Sequence, residues 1–70
     1  MRATWFEVVR EGNAWVVRSQ SVEYGRFWTE MEAFHVAVAQ ARALKSKGRR
    51  AQVRVVRDPQ QANRVYLDVP

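Results

Sequence analysis

The chain has no cysteine, one histidine and two prolines in its 70 residues. The first absence removes disulfides and thiolate metal sites as staples for the fold. The second leaves too few imidazoles for a zinc site built on histidine. No apolar run reaches the roughly 18 residues that a membrane span requires. Glu7 and Arg10 interrupt the apolar N-terminal stretch, so no signal-peptide pattern is legible. These features lead us to expect a cytoplasmic protein with no membrane partner, and the lack of cysteine accords with that compartment. A single domain, residues 1–70, is the only sensible division. A domain of this size buries roughly 60% of its unfolded surface, so packing, or packing with self-association, has to hold it together.

The usual signs of catalysis are also missing. Gly12, Gly25 and Gly48 stand alone, with no phosphate-cradling loop around them. Ser19, Ser21 and Ser46 lack the context of a nucleophile elbow. The acidic residues show no metal-loop spacing. His35 has Met31, Glu32 and Ala39 as its helical neighbours, so local sequence places no nucleophile beside it. We expect no catalytic residues, no metal, no cofactor and no small-molecule substrate. An enzyme using His35 as a base is the weakest of the function classes.

What the chain does contain is a well-marked helix, Thr29–Gly48, TEMEAFHVAVAQARALKSKG. Thr29 can serve as N-cap, with Glu32 as the reciprocal partner of a capping box. Glu30 and Glu32 suit the positive end of the helix dipole, and Lys45 and Lys47 suit the negative end. Gly48 stands where a left-handed residue would close the helix. Phe34, Ala37, Val38, Ala41 and Leu44 fall on one face at helical spacing. The alanines at 33, 37 and 41 fit close approach of the helix to a sheet.

Trp5–Arg10 and Ala14–Ser19 read as strands, rich in aromatic and β-branched residues. Gly12-Asn13 suits a two-residue hairpin turn. That turn pairs Arg10 with Trp15, Val9 with Val16, Val8 with Val17 and Glu7 with Arg18. One face then holds Phe6, Val8, Trp15 and Val17, and the other holds Trp5, Glu7, Val9, Val16 and Arg18. Residues 20–28 are the least regular stretch. Gly25 is expected to break it, and Phe27 and Trp28 to pack into the core at the helix entry. Arg50–Arg57 and Arg64–Val69 alternate as two further strands around a loop from Asp58-Pro59 to Asn63. The expected fold is α+β with element order ββαββ. Its sheet would be four-stranded and antiparallel, in spatial order 2-1-3-4, with the helix on one face and the other face open.

The net charge of +5 is unevenly distributed. From Arg42 to Arg57 the chain carries Arg42, Lys45, Lys47, Arg49, Arg50, Arg54 and Arg57 with no acidic residue between them. Such a block favours an anionic partner, and it equally serves solubility and the helix dipole.

Two readings of the surface follow. Trp5, Val9, Val16, Val56 and Tyr66, with Arg18, would form an apolar patch on the open face. That composition suits a protein partner or a second copy of the chain. Exposed aromatics among arginines also suit single-stranded nucleic acid, for which Arg42, Lys47, Arg49, Arg50, Arg54 and Arg57 are the candidate contacts. The protein reading leads because Glu7 and Asp68 share the face and the valines suit a protein surface.

The pattern Val8-Val9-Arg10, Gly12-Asn13-Ala14-Trp15-Val16-Val17, Trp28-Thr29, Glu32-Ala33, Ala37, Ala41 and Gly48 before a valine-rich strand resembles a group of small bacterial and phage ββαβ proteins. That group is known only as a domain of unknown function. The resemblance covers roughly residues 5–57 and implies the fold and no reaction. In size and element order the chain also looks like some phage anti-CRISPR proteins, which block bacterial defence by binding its protein machinery. The strand after Pro59 and the long segment before the helix depart from the first group.

Overall fold

The computed structural model describes the backbone of residues 3–58 and 63–68 and the side chains of residues 3–56. The chain runs β1 (Thr4–Glu11), β2 (Ala14–Ser19), β3 (Val22–Phe27), α1 (Glu30–Lys45), β4 (Ala51–Asp58) and β5 (Asn63–Asp68). The strands form one sheet in the order β3-β2-β1-β4-β5.

The first hairpin has the register that its turn chemistry dictates. Glu7 opposes Arg18, Val8 opposes Val17, Val9 opposes Val16 and Arg10 opposes Trp15. Gly12 takes φ +61, while Asn13 keeps a negative φ. A positive φ at the first central position alone is the backbone that a glycine there permits.

The α+β class is as expected, but the sheet differs in two linked ways. Val22–Phe27 is a strand, so the order is βββαββ and the sheet has five strands. The central β1–β4 pair is parallel, with Phe6 opposite Val53 and Val8 opposite Val55. The second difference follows from the first. Each hairpin reverses the chain, and the helix reverses it again. With β3 inserted, β4 enters beside β1 in the same direction instead of the opposite one. The expected neighbours of β1 are nevertheless the observed ones, β2 and β4.

Strand β3 escapes the alternating pattern because it is bulged. The register shifts between Val17 and Arg18, leaving Tyr24 as the extra residue. The turn that precedes β3 holds Gln20 at φ +55, where no glycine, asparagine or aspartate stands to announce it. In this strand Phe27 lies across Gly25: a Cβ at Gly25 would come within 2.7 Å of Phe27 Cζ.

The helix has its expected ends. Thr29 is the N-cap, its hydroxyl oxygen accepting from the Glu32 backbone N–H at 3.1 Å. The return contact goes to the hydroxyl, which donates to Glu32 Oε1 at 3.0 Å, and not to the Thr29 backbone N–H as a full capping box would have it. After the C-cap Ser46, Gly48 N–H donates to Lys45 O at 2.9 Å and Arg49 N–H to Leu44 O at 3.1 Å. With φ +81 at Gly48, these two bonds make a Schellman closure.

The core lies between the helix and one face of the sheet. Ala33, Ala37 and Ala41 are fully buried against Phe6, Val8, Val17, Ala51, Val53 and Val55. Small residues let the helix sit close, while Trp15, Phe27, Phe34, Val36, Val38 and Leu44 flank this contact. Burying a valine fully is worth about 1.5–3 kcal/mol. Trp28 departs from expectation. It is 82% exposed and lies outside the core, as does Met31 at 70%. Phe27 takes the core position that both aromatics were expected to share.

Candidate interaction surfaces

One face of the sheet has no helix over it. Reading across the strands, Glu23 opposes Arg18, Arg18 opposes Glu7, and Glu7 opposes Arg54. This row alternates in sign from strand to strand. A second row runs Arg26, Val16, Val9 and Val56.

The charges on this face bond to one another. Arg54 Nη1 meets Glu7 Oε2 at 3.3 Å. Arg26 holds Glu23 through Nε at 3.0 Å and reaches Glu11 Oε1 through Nη2 at 3.2 Å. Arg18 also bonds Glu11, through Oε2. The register expected from the sequence sets Arg18 opposite Glu7, yet its ion pair is formed with Glu11. Glu7 is taken by Arg54 from the other side. Three glutamates and three arginines thus cancel on the face. Individually such half-exposed pairs contribute little, on the order of 1 kcal/mol or less. Their main effect here is to remove the arginines from competition for an outside anion.

This network also changes the status of the valines. Val16 is fully buried and Val56 is 6% exposed, so neither is the exposed contact that alternation alone suggests. Arg18 stands opposite Glu7, four residues or about 13 Å along β1 from Glu11, so the two side chains reach toward one another along the face, past the row that holds Val16. The aliphatic stem of arginine covers apolar surface in this way while its head stays with the carboxylate. Val56 sits in a strand flanked on both sides, with Val9 opposite it on β1. Val9 and Trp5 remain half-buried. The Arg54 guanidinium lies over the Trp5 ring, 4.8 Å from its centroid. Tyr66 opposes Arg54 in the β4–β5 register, and its side chain lies outside the described residues.

At the β3–α1 junction a hollow of about 210 Å³ is lined by Ala14, Arg26, Phe27 and Trp28. Ala14 and Arg26 are shared with the open face, so exposed Trp28 forms the rim of that face. The sequence signal for Trp28 was present, as an aromatic directly before the N-cap. A core assignment for both aromatics concealed it.

The basic residues divide into two groups. Arg54 belongs to the ion-paired face, and the Arg57 side chain lies outside the described residues. Arg42, Lys47, Arg49 and Arg50 are exposed around the C-terminal end of α1 and the turn into β4. Among the described residues none forms an ion pair with these four. His35 is exposed on the helix. Among the described residues no group of three or more histidine, cysteine, aspartate or glutamate side chains is placed to hold a metal ion. No helix among them is long and apolar enough to cross a membrane.

No family model matches the chain, and neither a curated protein nor a solved structure matches it.

Proposed function

We propose that this chain is a small cytoplasmic binding protein without enzymatic activity, whose open sheet face and its Trp28 rim contact a protein partner or a second copy of the chain. The observation that carries this reading is Trp28, 82% exposed beside a face whose charges already cancel. Tryptophan is enriched among the few residues that dominate protein interfaces. A neutral, internally paired surface around it excludes water from such an anchor without demanding countercharges from the partner. Trp5 and Val9 extend the apolar surface, while Val16 and Val56 support it from beneath.

A member of the bacterial and phage group of unknown function, or an anti-CRISPR protein, would fit this reading. An inhibitor that masks a surface of a larger assembly needs a rigid face and no reaction. Trp28→Ala tests the proposal, because an exposed side chain can be removed with little effect on folding. Sedimentation should show the wild-type chain associating with itself, or a pull-down from lysate treated with nuclease should recover a protein that the variant does not. A wild-type chain that stays monomeric and retains no protein would sink this reading.

A second reading has its own support. Arg42, Lys47, Arg49 and Arg50 are exposed and gathered at one end of the helix, which suits nucleic acid phosphates. It expects a mobility shift that fades steeply with salt and is lost when Arg49 and Arg50 become alanine. Arg54, committed to Glu7 and Trp5, contributes little to it.

A further inference from the structure

On the helix side of the sheet, α1 and the edge strand β3 do not close over one another. Between them lies a groove of about 270 Å³. Phe6 and Leu44 form its apolar floor, and Tyr24 stands at its wall with its ring edge-on to Phe6, centroids 5.6 Å apart. Lys47 and Arg49 line its basic side, and no acidic residue lines it. Ser19 also lines the groove. It is 4% exposed, the sole buried polar residue among those whose side chains are described.

We propose that this groove binds a phosphate monoester carrying a flat or apolar organic group, such as a nucleotide. The charge balance selects the ligand. A phosphate monoester carries about −1.5 to −2 charges and three acceptor oxygens, which two cations and nearby hydroxyl donors match. A carboxylate has only one charge and two oxygens to offer the same set. Ser19 and Thr4 add hydroxyls to the lining of the groove. The half-exposed Tyr24 ring, with Val22 and Leu44 beside it, offers apolar surface to the organic group. The volume lies just below the usual range of about 300–1,000 Å³ for ligand pockets, so one nucleotide is the largest unit that suits it. The site is on the opposite side of the sheet from the Trp28 surface and stands without the protein-contact reading. It shares Lys47 and Arg49 with the nucleic-acid reading but makes a narrower claim, that a terminal or free phosphate is recognised.

The test is a titration of the full chain with adenosine monophosphate, adenosine and inorganic phosphate, followed by amide chemical shifts. Adenosine monophosphate should shift the amides of Ser19, Tyr24 and Arg49, and adenosine should bind at least tenfold more weakly. Lys47→Ala with Arg49→Ala should weaken the nucleotide at least tenfold. Ser19→Ala should weaken it several-fold with an unchanged Tm. Oligonucleotides with and without a 5′-phosphate separate a free nucleotide from a strand end: displacement of bound nucleotide only by the phosphorylated strand assigns the site to strand ends, and displacement by neither assigns it to the free nucleotide. Equal binding of adenosine and its monophosphate overturns the proposal, as does no shift at millimolar nucleotide or an unaffected double variant. Oligonucleotides that bind irrespective of 5′-phosphate, with no response to the mononucleotide, overturn it while leaving the basic-surface reading intact.

Discussion

Arg54 stacks on Trp5, its guanidinium carbon 4.8 Å from the ring centroid, while the same guanidinium holds Glu7 at 3.3 Å. One side chain on β4 thus ties together two residues on the same face of β1. Because the Arg54 side chain is only 20% exposed, the contact is partly shielded from water. We predict a coupling of about 0.5–2 kcal/mol between Trp5 and Arg54, measured by a double-mutant cycle of Trp5→Leu and Arg54→Met in urea unfolding. Additive effects would show that the stacking has no energetic weight.

The close approach of Phe27 to Gly25 means that a side chain at position 25 has to displace the Phe27 ring from its place against the core. Gly25→Ala places a methyl 2.7 Å from the ring. It is expected to lower stability by about 1–3 kcal/mol, read as a lower urea midpoint at constant slope. Gly25→Ala with Phe27→Leu should recover part of the loss, since the shorter side chain leaves room for the methyl.

Gln20 provides the opposite case. Its φ of +55 is costly for a residue with a Cβ, roughly 1–2 kcal/mol. Gln20→Gly relieves that cost and adds freedom to the unfolded chain, so a net gain of about 0.5–1 kcal/mol is expected. Thermal unfolding should show a raised Tm. A lowered Tm would mean that the Gln20 side chain holds the turn by contacts of its own.

Val16 separates a surface contact from a structural one. Alternation puts it on the open face, where Val16→Glu would be a benign way to disrupt an interface. Its complete burial instead predicts a loss of roughly 3 kcal/mol or more, because a charged side chain would displace a fully packed valine beneath the Arg18–Glu11 bridge. A domain this small has little margin. Circular dichroism should find the variant largely unfolded, whereas Trp28→Ala stays folded.

These residues mark what local chemistry can and cannot disclose. The β1–β2 register was legible because Gly12-Asn13 defines a turn and the turn defines every opposing pair. Both ends of the helix were legible because Thr29, Glu32 and Gly48 act within one turn of where they stand. Strand β3 was not, because Tyr24 as an extra residue destroys the alternation of period two and Gln20 is not a residue that signals the positive φ it adopts. The wrong direction of β4 followed from that one omission. The faces of Val16 and Val56 were assigned correctly but not their exposure. A period in sequence says which way a side chain points, and only the neighbouring strands say what lies above it. The Lys47–Arg49 groove combines residues from Thr4 to Arg49 around Ser19, and no spacing in the sequence could announce it.

The parallel β1–β4 pair has a consequence for how the chain comes off the ribosome. β1 acquires β2 within a few residues of synthesis, but its other edge stays open until Ala51–Val56 has been made. Throughout that interval the central strand of the finished sheet presents a bare hydrogen-bonding edge. Pairing across so long a sequence separation is slow, and open edges of this kind invite association between chains. The early meander and the helix can form first, leaving β4, with β5 paired on its outer edge, as the last addition. The step that completes the fold is therefore also the one that protects the nascent chain from its neighbours.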